Sequence, residues 1–159
     1  MTIQVGNSIP SCKLKTMGAE GPADITTGEI FDGKKVVLFA VPGAFTPGCS
    51  VTHLPGYVVN ADKIKAAGVD TIVCMAVNDA FVMGAWGKAQ NADEILMLAD
   101  GNGELTQALG LELDGSGFGL GTRSQRFAMI VEDGKVTLLN VEPGPGVDVS
   151  SAETIMQSL

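Results

Sequence analysis

The sequence predicts an α/β fold: a mixed central sheet with helices on both faces and an N-terminal hairpin extension. Three observations carry that reading. Apolar runs rich in β-branched and aromatic residues recur at 36–41, 69–77 and 95–99, each with the length of a buried strand. Helix-period stretches separate them, which calls for parallel pairing with helices laid over the sheet. Asp133-Gly134, flanked by apolar segments 126–132 and 135–141, is the pattern of an antiparallel hairpin with a two-residue turn.

Taken in order, residues 1–35 are rich in Gly, Pro, Thr and Asp, and short alternating stretches at 25–27 and 29–31 suggest a hairpin rather than a helix. Cys12 lies there and reads as a surface or edge thiol without a role. After strand 36–41, Pro42 to Gly48 form a corner, and Val51, Leu54, Val58, Ala61 and Ile64 follow the period of an amphipathic helix that ends at Gly68. Cys49, His53 and Tyr57 share another face of it at i, i+4 and i+8. Pro55-Gly56 should bend this helix, because Pro removes a backbone donor. Strand 69–77 contains Cys74, Asn78-Asp79 caps a helix at 80–90, and strand 95–99 is followed by a helix at 104–109. Residues 111–121 read as a glycine-rich loop and 151–159 as a closing helix. Gly117-Phe-Gly119-Leu-Gly121 lacks the G-x-G-x-x-G spacing and opens no helix, so it is not a nucleotide loop. No linker or repeat divides the chain, and a single domain over 1–159 is expected.

The formal net charge of −8 opposes binding to nucleic acid or anionic lipid. Apolar residues make up 45% and charged ones only 18%, which leaves apolar surface for a partner subunit, and a homo-oligomer is expected. The opening Met-Thr-Ile-Gln-Val-Gly-Asn-Ser does not resemble a secretory signal, and no apolar run approaches the ~20 residues of a membrane span. A soluble, cytoplasmic protein is the expectation. Three cysteines without C-x-x-C or Cys/His zinc spacing read as free thiols in a reducing compartment, with no metal or cofactor.

The chemistry gathers at the strand-to-helix corner. Unpaired N–H groups and the positive dipole end at a helix start favour the thiolate form of a cysteine placed there. A thiol that attacks a peroxide needs a thiolate, donors that hold both peroxide oxygens in line, and stabilisation of charge on the leaving oxygen. Pro42-Gly-Ala-Phe-Thr46-Pro-Gly-Cys49 offers the Thr46 hydroxyl, the N–H groups of Gly48 and Cys49, and Pro42 as a shield without a donor. A full positive charge is missing locally. His53, the only histidine, can be read as a base or half a metal site, or more plainly as a half-buried group that supports the corner by hydrogen bonds; no further metal ligands have suitable spacing.

The run P-G-A-F-T-P-G-C-S, followed by H-L-P-G-Y, resembles the P-x-x-x-T-x-x-C active-site motif of the peroxiredoxins. Its exact wording is similar to the subgroup of mammalian peroxiredoxin five and the plant and bacterial type II enzymes. Val77 to Trp86, Leu98 to Gly103, Arg123 to Phe127 and Leu139 to Pro143 resemble further blocks of that subgroup in the same order, so the resemblance covers nearly the whole chain. It implies a thioredoxin-like fold, in agreement with the element order, and an antioxidant thiol peroxidase acting on hydrogen peroxide and alkyl hydroperoxides. Cys49 matches the peroxidatic cysteine, Thr46 the peroxide-positioning hydroxyl, Pro42 the shield and Arg126 the missing positive charge, with Arg123 as its rival. The resemblance also implies a homodimer packed around the corner and Phe45.

The chain departs from the mammalian peroxiredoxin-five form, in which a resolving cysteine follows the N-V-E-P block: here residues 146–151 contain no cysteine. Cys74 resembles the second cysteine of the plant enzymes, which leaves a resolving role open to it, but it reads better as a buried structural thiol, since a core strand cannot easily move its sulfur. An external thiol, either glutathione with glutaredoxin or thioredoxin, is therefore expected to reduce Cys49. The alternative reading is a peroxide-sensing switch or chaperone-like binding module without efficient turnover.

Overall fold

A computed structural model of the chain describes residues 1–159. β1 (Lys13–Gly18) and β2 (Gly21–Thr26) form an antiparallel hairpin, followed by α1 (Thr27–Phe31) and β3 (Lys35–Ala40). A π-type turn (Cys49–His53) runs directly into α2 (Leu54–Ala66). Then come β4 (Thr71–Ala76), α3 (Ala80–Ala89), β5 (Leu96–Ala99) and α4 (Glu104–Leu109). The small pair β6 (Glu112–Asp114) and β7 (Thr122–Ser124) precedes the hairpin β8 (Phe127–Glu132) and β9 (Lys135–Val141), and α5 (Ala152–Met156) closes the chain. The main sheet has seven strands in the order β2-β1-β5-β4-β3-β8-β9. Its centre, β3-β4-β5, is parallel, as the intervening helices require, and both edges are antiparallel.

Alternation along β3 divides the core. Val37 and Phe39 pack with α2, α3 and α5 on one face. Val36, Leu38 and Ala40 pack with Phe31 of α1 and with Leu105 and Leu109 of α4 on the other. Burying a side chain of this size contributes roughly 1.5–3 kcal/mol, so β3 is anchored from both sides. Cys49 and Cys74 both lie on the α2 face. No helix is long and apolar enough to cross a membrane.

The N-terminal hairpin spans residues 13–26, not 25–31. Glu29 and Phe31 are helical instead, because Thr26 and Glu29 form a reciprocal capping box: Thr26 Oγ1 accepts from Glu29 N–H and a Glu29 oxygen accepts from Thr26 N–H. The segment 111–121 is less a loop than one arm of the β6-β7 pair, with a 3₁₀ turn at Ser116–Phe118. Asp133 (φ 49°) and Gly134 (φ 78°) make the expected tight turn of β8-β9, a left-handed pair that favours glycine at its second position.

The helix after the corner differs in phase. Leu54 N–H bonds to Cys49 O, an i→i+5 closure. This wider turn rotates Val51 out of the core, leaving it 75% exposed, while Leu54, Ala61 and Ile64 remain buried. Pro55 does not break α2. It stands in the first turn, where a missing donor costs nothing.

Candidate active site

Cys49 is fully buried at the start of the π turn, beneath the corner that follows β3. The corner is held from two sides: Ala44 N–H donates to Asn78 Oδ1 at 2.9 Å, and Thr46 O accepts from Ser50 N–H at 2.9 Å. Asp79 caps α3, accepting from Val82 N–H, so the two residues at 78–79 divide their tasks. Trp86 Nε1 donates to Ser50 Oγ at 2.9 Å and ties α3 to the residue after Cys49. The Gly48 and Cys49 N–H groups stand in the first turn, where a helix has no acceptor of its own, and no loop oxygen takes them. They are free to meet an oxygen of a ligand.

Thr46 Oγ1 donates to Gly43 O at 2.7 Å. Its proton is thus committed, and the hydroxyl presents lone pairs that can accept an O–H. Pro42 is half-buried, and its carbonyl accepts from Arg123 Nη1 at 3.2 Å. Arg123 Nε also donates to Leu120 O, so Arg123 ties the β6-β7 arm to the corner.

The positive charge comes from Arg126, immediately before β8, which pairs with β3 and thereby brings residue 126 beside residue 49. Its Nη2 lies 3.3 Å from Cys49 Sγ, and its Nη1 donates to His53 Nδ1 at 2.9 Å. A guanidinium only donates, so Nδ1 must be the acceptor and the ring proton sits on Nε2, which donates to Ser150 O at 2.9 Å. Burial holds this imidazole well below its ordinary value, at about 4; the bond to Ser150 works the other way, and the Arg126 charge adds to the lowering. The half-buried expectation for His53 is corrected to fully buried, at 1% exposure. Its ring packs 4.9 Å from Phe39, which stacks on Tyr57 at 3.9 Å.

Cys74 is fully buried on β4, opposite Phe39. Burial pushes its thiol well above the ordinary range, and the neighbouring Cys49 pushes the same way. Cys12 is half-buried, and its N–H is taken by Thr27 Oγ1. A cavity of about 680 Å³ opens over the site, lined by Pro42, Gly48, Leu113, Phe118, Arg126 and Pro143 among others.

The structure therefore brings Cys49, Thr46, Pro42, Gly48, Arg126, Arg123 and His53 into one place. Residues 4–156 match the redoxin family model. A crystal structure of reduced Prx3 from Vibrio vulnificus in complex with hydrogen peroxide superposes with a TM-score of 0.95 at 58% identity, covering 99% of each chain. Peroxiredoxin-2D of Arabidopsis thaliana is 46% identical over 99% of this chain and 98% of its own. The chain belongs to the peroxiredoxins. Within them it is similar to the type II and peroxiredoxin-five branch: peroxiredoxin 5 of Alvinella pompejana superposes at a TM-score of 0.87 with 39% identity over 98% of this chain and 97% of that one. The protein is thus a thiol-dependent peroxidase with the expected thioredoxin-like fold.

Ser150 and Ser50 had no role expected of them, and Asn78, expected in the cap of α3, instead holds the corner through Ala44 N–H. Ser150 acts through its backbone carbonyl, which has no sequence signature. Asn78 beside a capping Asp reads as part of the cap. Only Trp86, the single tryptophan, hints at a buried N–H in need of a partner.

Proposed function

We propose that Cys49 is the peroxidatic nucleophile of a peroxidase recycled by an external thiol. The observation that carries this reading is the 3.3 Å approach of Arg126 Nη2 to Cys49 Sγ, a full positive charge at the one cysteine that stands at a helix start. The sulfur attacks one peroxide oxygen and the O–O bond breaks. Its electron pair leaves on the other oxygen, which takes a proton and departs as water or an alcohol. The attacked oxygen stays on sulfur as a sulfenic acid. Thr46 accepts the peroxide O–H, while the N–H groups of Gly48 and Cys49 and the Arg126 fork face the oxygens as charge develops. Pro42 keeps water from the sulfur.

A 1-Cys cycle is supported by the burial of Cys74 and its raised thiol, both of which oppose its meeting Cys49 in a disulfide. A first external thiol displaces water from the sulfenic acid to form a mixed disulfide. A second releases the enzyme and carries away the disulfide, the chemistry of glutathione with glutaredoxin or of thioredoxin in a reducing, cytoplasmic setting. The solvent face of the corner supports a homodimer. Phe45 holds φ 66°, a left-handed conformation costly for a residue with a side chain, and stands 55% exposed 6.5 Å from Trp86. Sedimentation of Phe45→Glu is expected to show monomer; an unchanged dimer would remove this face as its interface.

The reading is tested by giving reduced protein one equivalent of hydrogen peroxide and mapping the sulfenic acid by dimedone adduct and mass spectrometry. Adduct at Cys49 and loss of turnover in Cys49→Ser are expected; full turnover in Cys49→Ser overturns it. Steady peroxide consumption with glutaredoxin or thioredoxin systems distinguishes a turning-over enzyme from a sensor.

A further inference from the structure

We infer that Glu142 and Ser150, in the loop between β9 and α5, are positioning residues for the reaction, acting through the tautomer of His53 on the guanidinium of Arg126. This rests on the reading of Cys49 and Arg126 above. The hydrogen bonds form a closed circuit that begins and ends at Arg126. Its backbone carbonyl accepts from Glu142 N–H at 2.9 Å. Glu142 Oε2 accepts from Ser150 N–H at 2.9 Å, Ser150 Oγ at 2.7 Å and Asp148 N–H at 2.7 Å. The Ser150 carbonyl accepts from His53 Nε2, and His53 Nδ1 accepts from Arg126 Nη1. Both ends of one arginine are thus tied by a single ring.

A carboxylate that gathers three donors on one oxygen is an unusual use of a half-exposed glutamate. Burial alone would raise its carboxyl, yet these bonds hold it below the ordinary range. The consequence lies at Ser150, whose buried carbonyl is turned inward, where it takes both His53 Nε2–H and the Tyr57 hydroxyl at 2.8 Å. Without an acceptor there, the imidazole gains nothing from carrying its proton on Nε2. A proton on Nδ1 would face the Nη1 donor and push the guanidinium away from Cys49. An arginine freed in this way regains the rotamer freedom of its long side chain and no longer keeps one nitrogen on the sulfur. Glu142 therefore acts on the sulfur without touching it.

His53 is the only histidine, so its two ring nitrogens are resolved in a long-range proton–nitrogen NMR spectrum of the whole protein. The wild type is expected to show a proton on Nε2 alone. Glu142→Ala is expected to give averaged nitrogen shifts of mixed tautomers and to slow oxidation of Cys49 by hydrogen peroxide about 10-fold, the scale of a misplaced catalytic group. Glu142→Gln, which keeps shape and an acceptor oxygen, is expected to fall between, and carries the test should the alanine variant not fold. In a His53→Ala background the same Glu142 change is expected to have no further effect. An unchanged tautomer in Glu142→Ala overturns the inference. So does an equal slowing with and without His53, since a loop clamp that merely held the fold would behave so. If instead Cys49→Ser keeps turnover, the reading of the nucleophile fails while the tautomer result still stands by itself.

Discussion

Arg126 reaches Cys49 with one guanidinium nitrogen and His53 with the other, at 3.3 and 2.9 Å, so a single planar group faces the sulfur and is aimed by the histidine at once. Only a fork can do both. Arg126→Lys keeps the charge but offers a single flexible ammonium, and the rate of Cys49 oxidation is expected to fall about 100-fold. Arg123→Ala, which removes a bond to the Pro42 carbonyl, is expected to cost less than about 10-fold. Stopped-flow fluorescence of Trp86, bonded to the residue beside Cys49, follows both. The opposite ranking of the two arginines would reassign the charge.

Gly48 holds ordinary right-handed helical angles, φ −62° and ψ −36°, so its backbone does not require glycine. A Cβ there would lie 3.1 Å from Arg126 Nη2, closer than that atom can stay. Gly48→Ala is therefore expected to melt no lower than the wild type, since alanine is favoured over glycine in a helix by roughly 0.5–1 kcal/mol. It should still slow Cys49 oxidation about 10-fold by moving the guanidinium. Unchanged kinetics would mean that the guanidinium position does not matter.

The free imidazole of an unfolded chain takes its proton near pH 6.5, whereas folded His53 takes it only near 4. Between those values the unfolded state binds more protons, so stability rises with pH through this window and is lost as pH falls from about 6.5 to 4. The loss is roughly 3 kcal/mol. Urea unfolding at a series of pH values is expected to show this slope in the wild type and a flatter one in His53→Gln. Equal slopes would show that His53 is not the group responsible.

Cys74→Ala removes a fully buried sulfur from β4 and is expected to cost about 1–2 kcal/mol of stability through the void it leaves. Turnover with an external thiol should remain within about twofold, because the substitution leaves every partner of Arg126 in place. Loss of turnover with intact folding would restore Cys74 as the resolving thiol.

Much of the fold is legible because its signals are local. β3, β4 and β5 appear as apolar runs, Asp133-Gly134 marks its turn, and Asp79 and Ser151 each accept from an N–H three residues on. The N-terminal hairpin is less legible: alternation over three residues is weak, and the Thr26 to Glu29 capping signature competes with it and wins. The phase of the helix after Cys49 is hidden altogether. A π turn carries no distinct period, and one wide turn is enough to expose Val51.

By itself, the sequence determined what stands at the corner: a cysteine at a helix start, a threonine three residues before it, a proline at the end of the strand and a histidine one turn on. These are contiguous, and their spacing follows from backbone geometry alone. The tertiary structure decided which arginine lies against the sulfur, which nitrogen of His53 holds its proton, and that the Ser150 carbonyl accepts it. Those contacts span 77, 73 and 97 residues. They exist because β8 pairs with β3 and the loop after β9 folds back under α2, an arrangement set by the order of strands in the sheet rather than by any short stretch of chain.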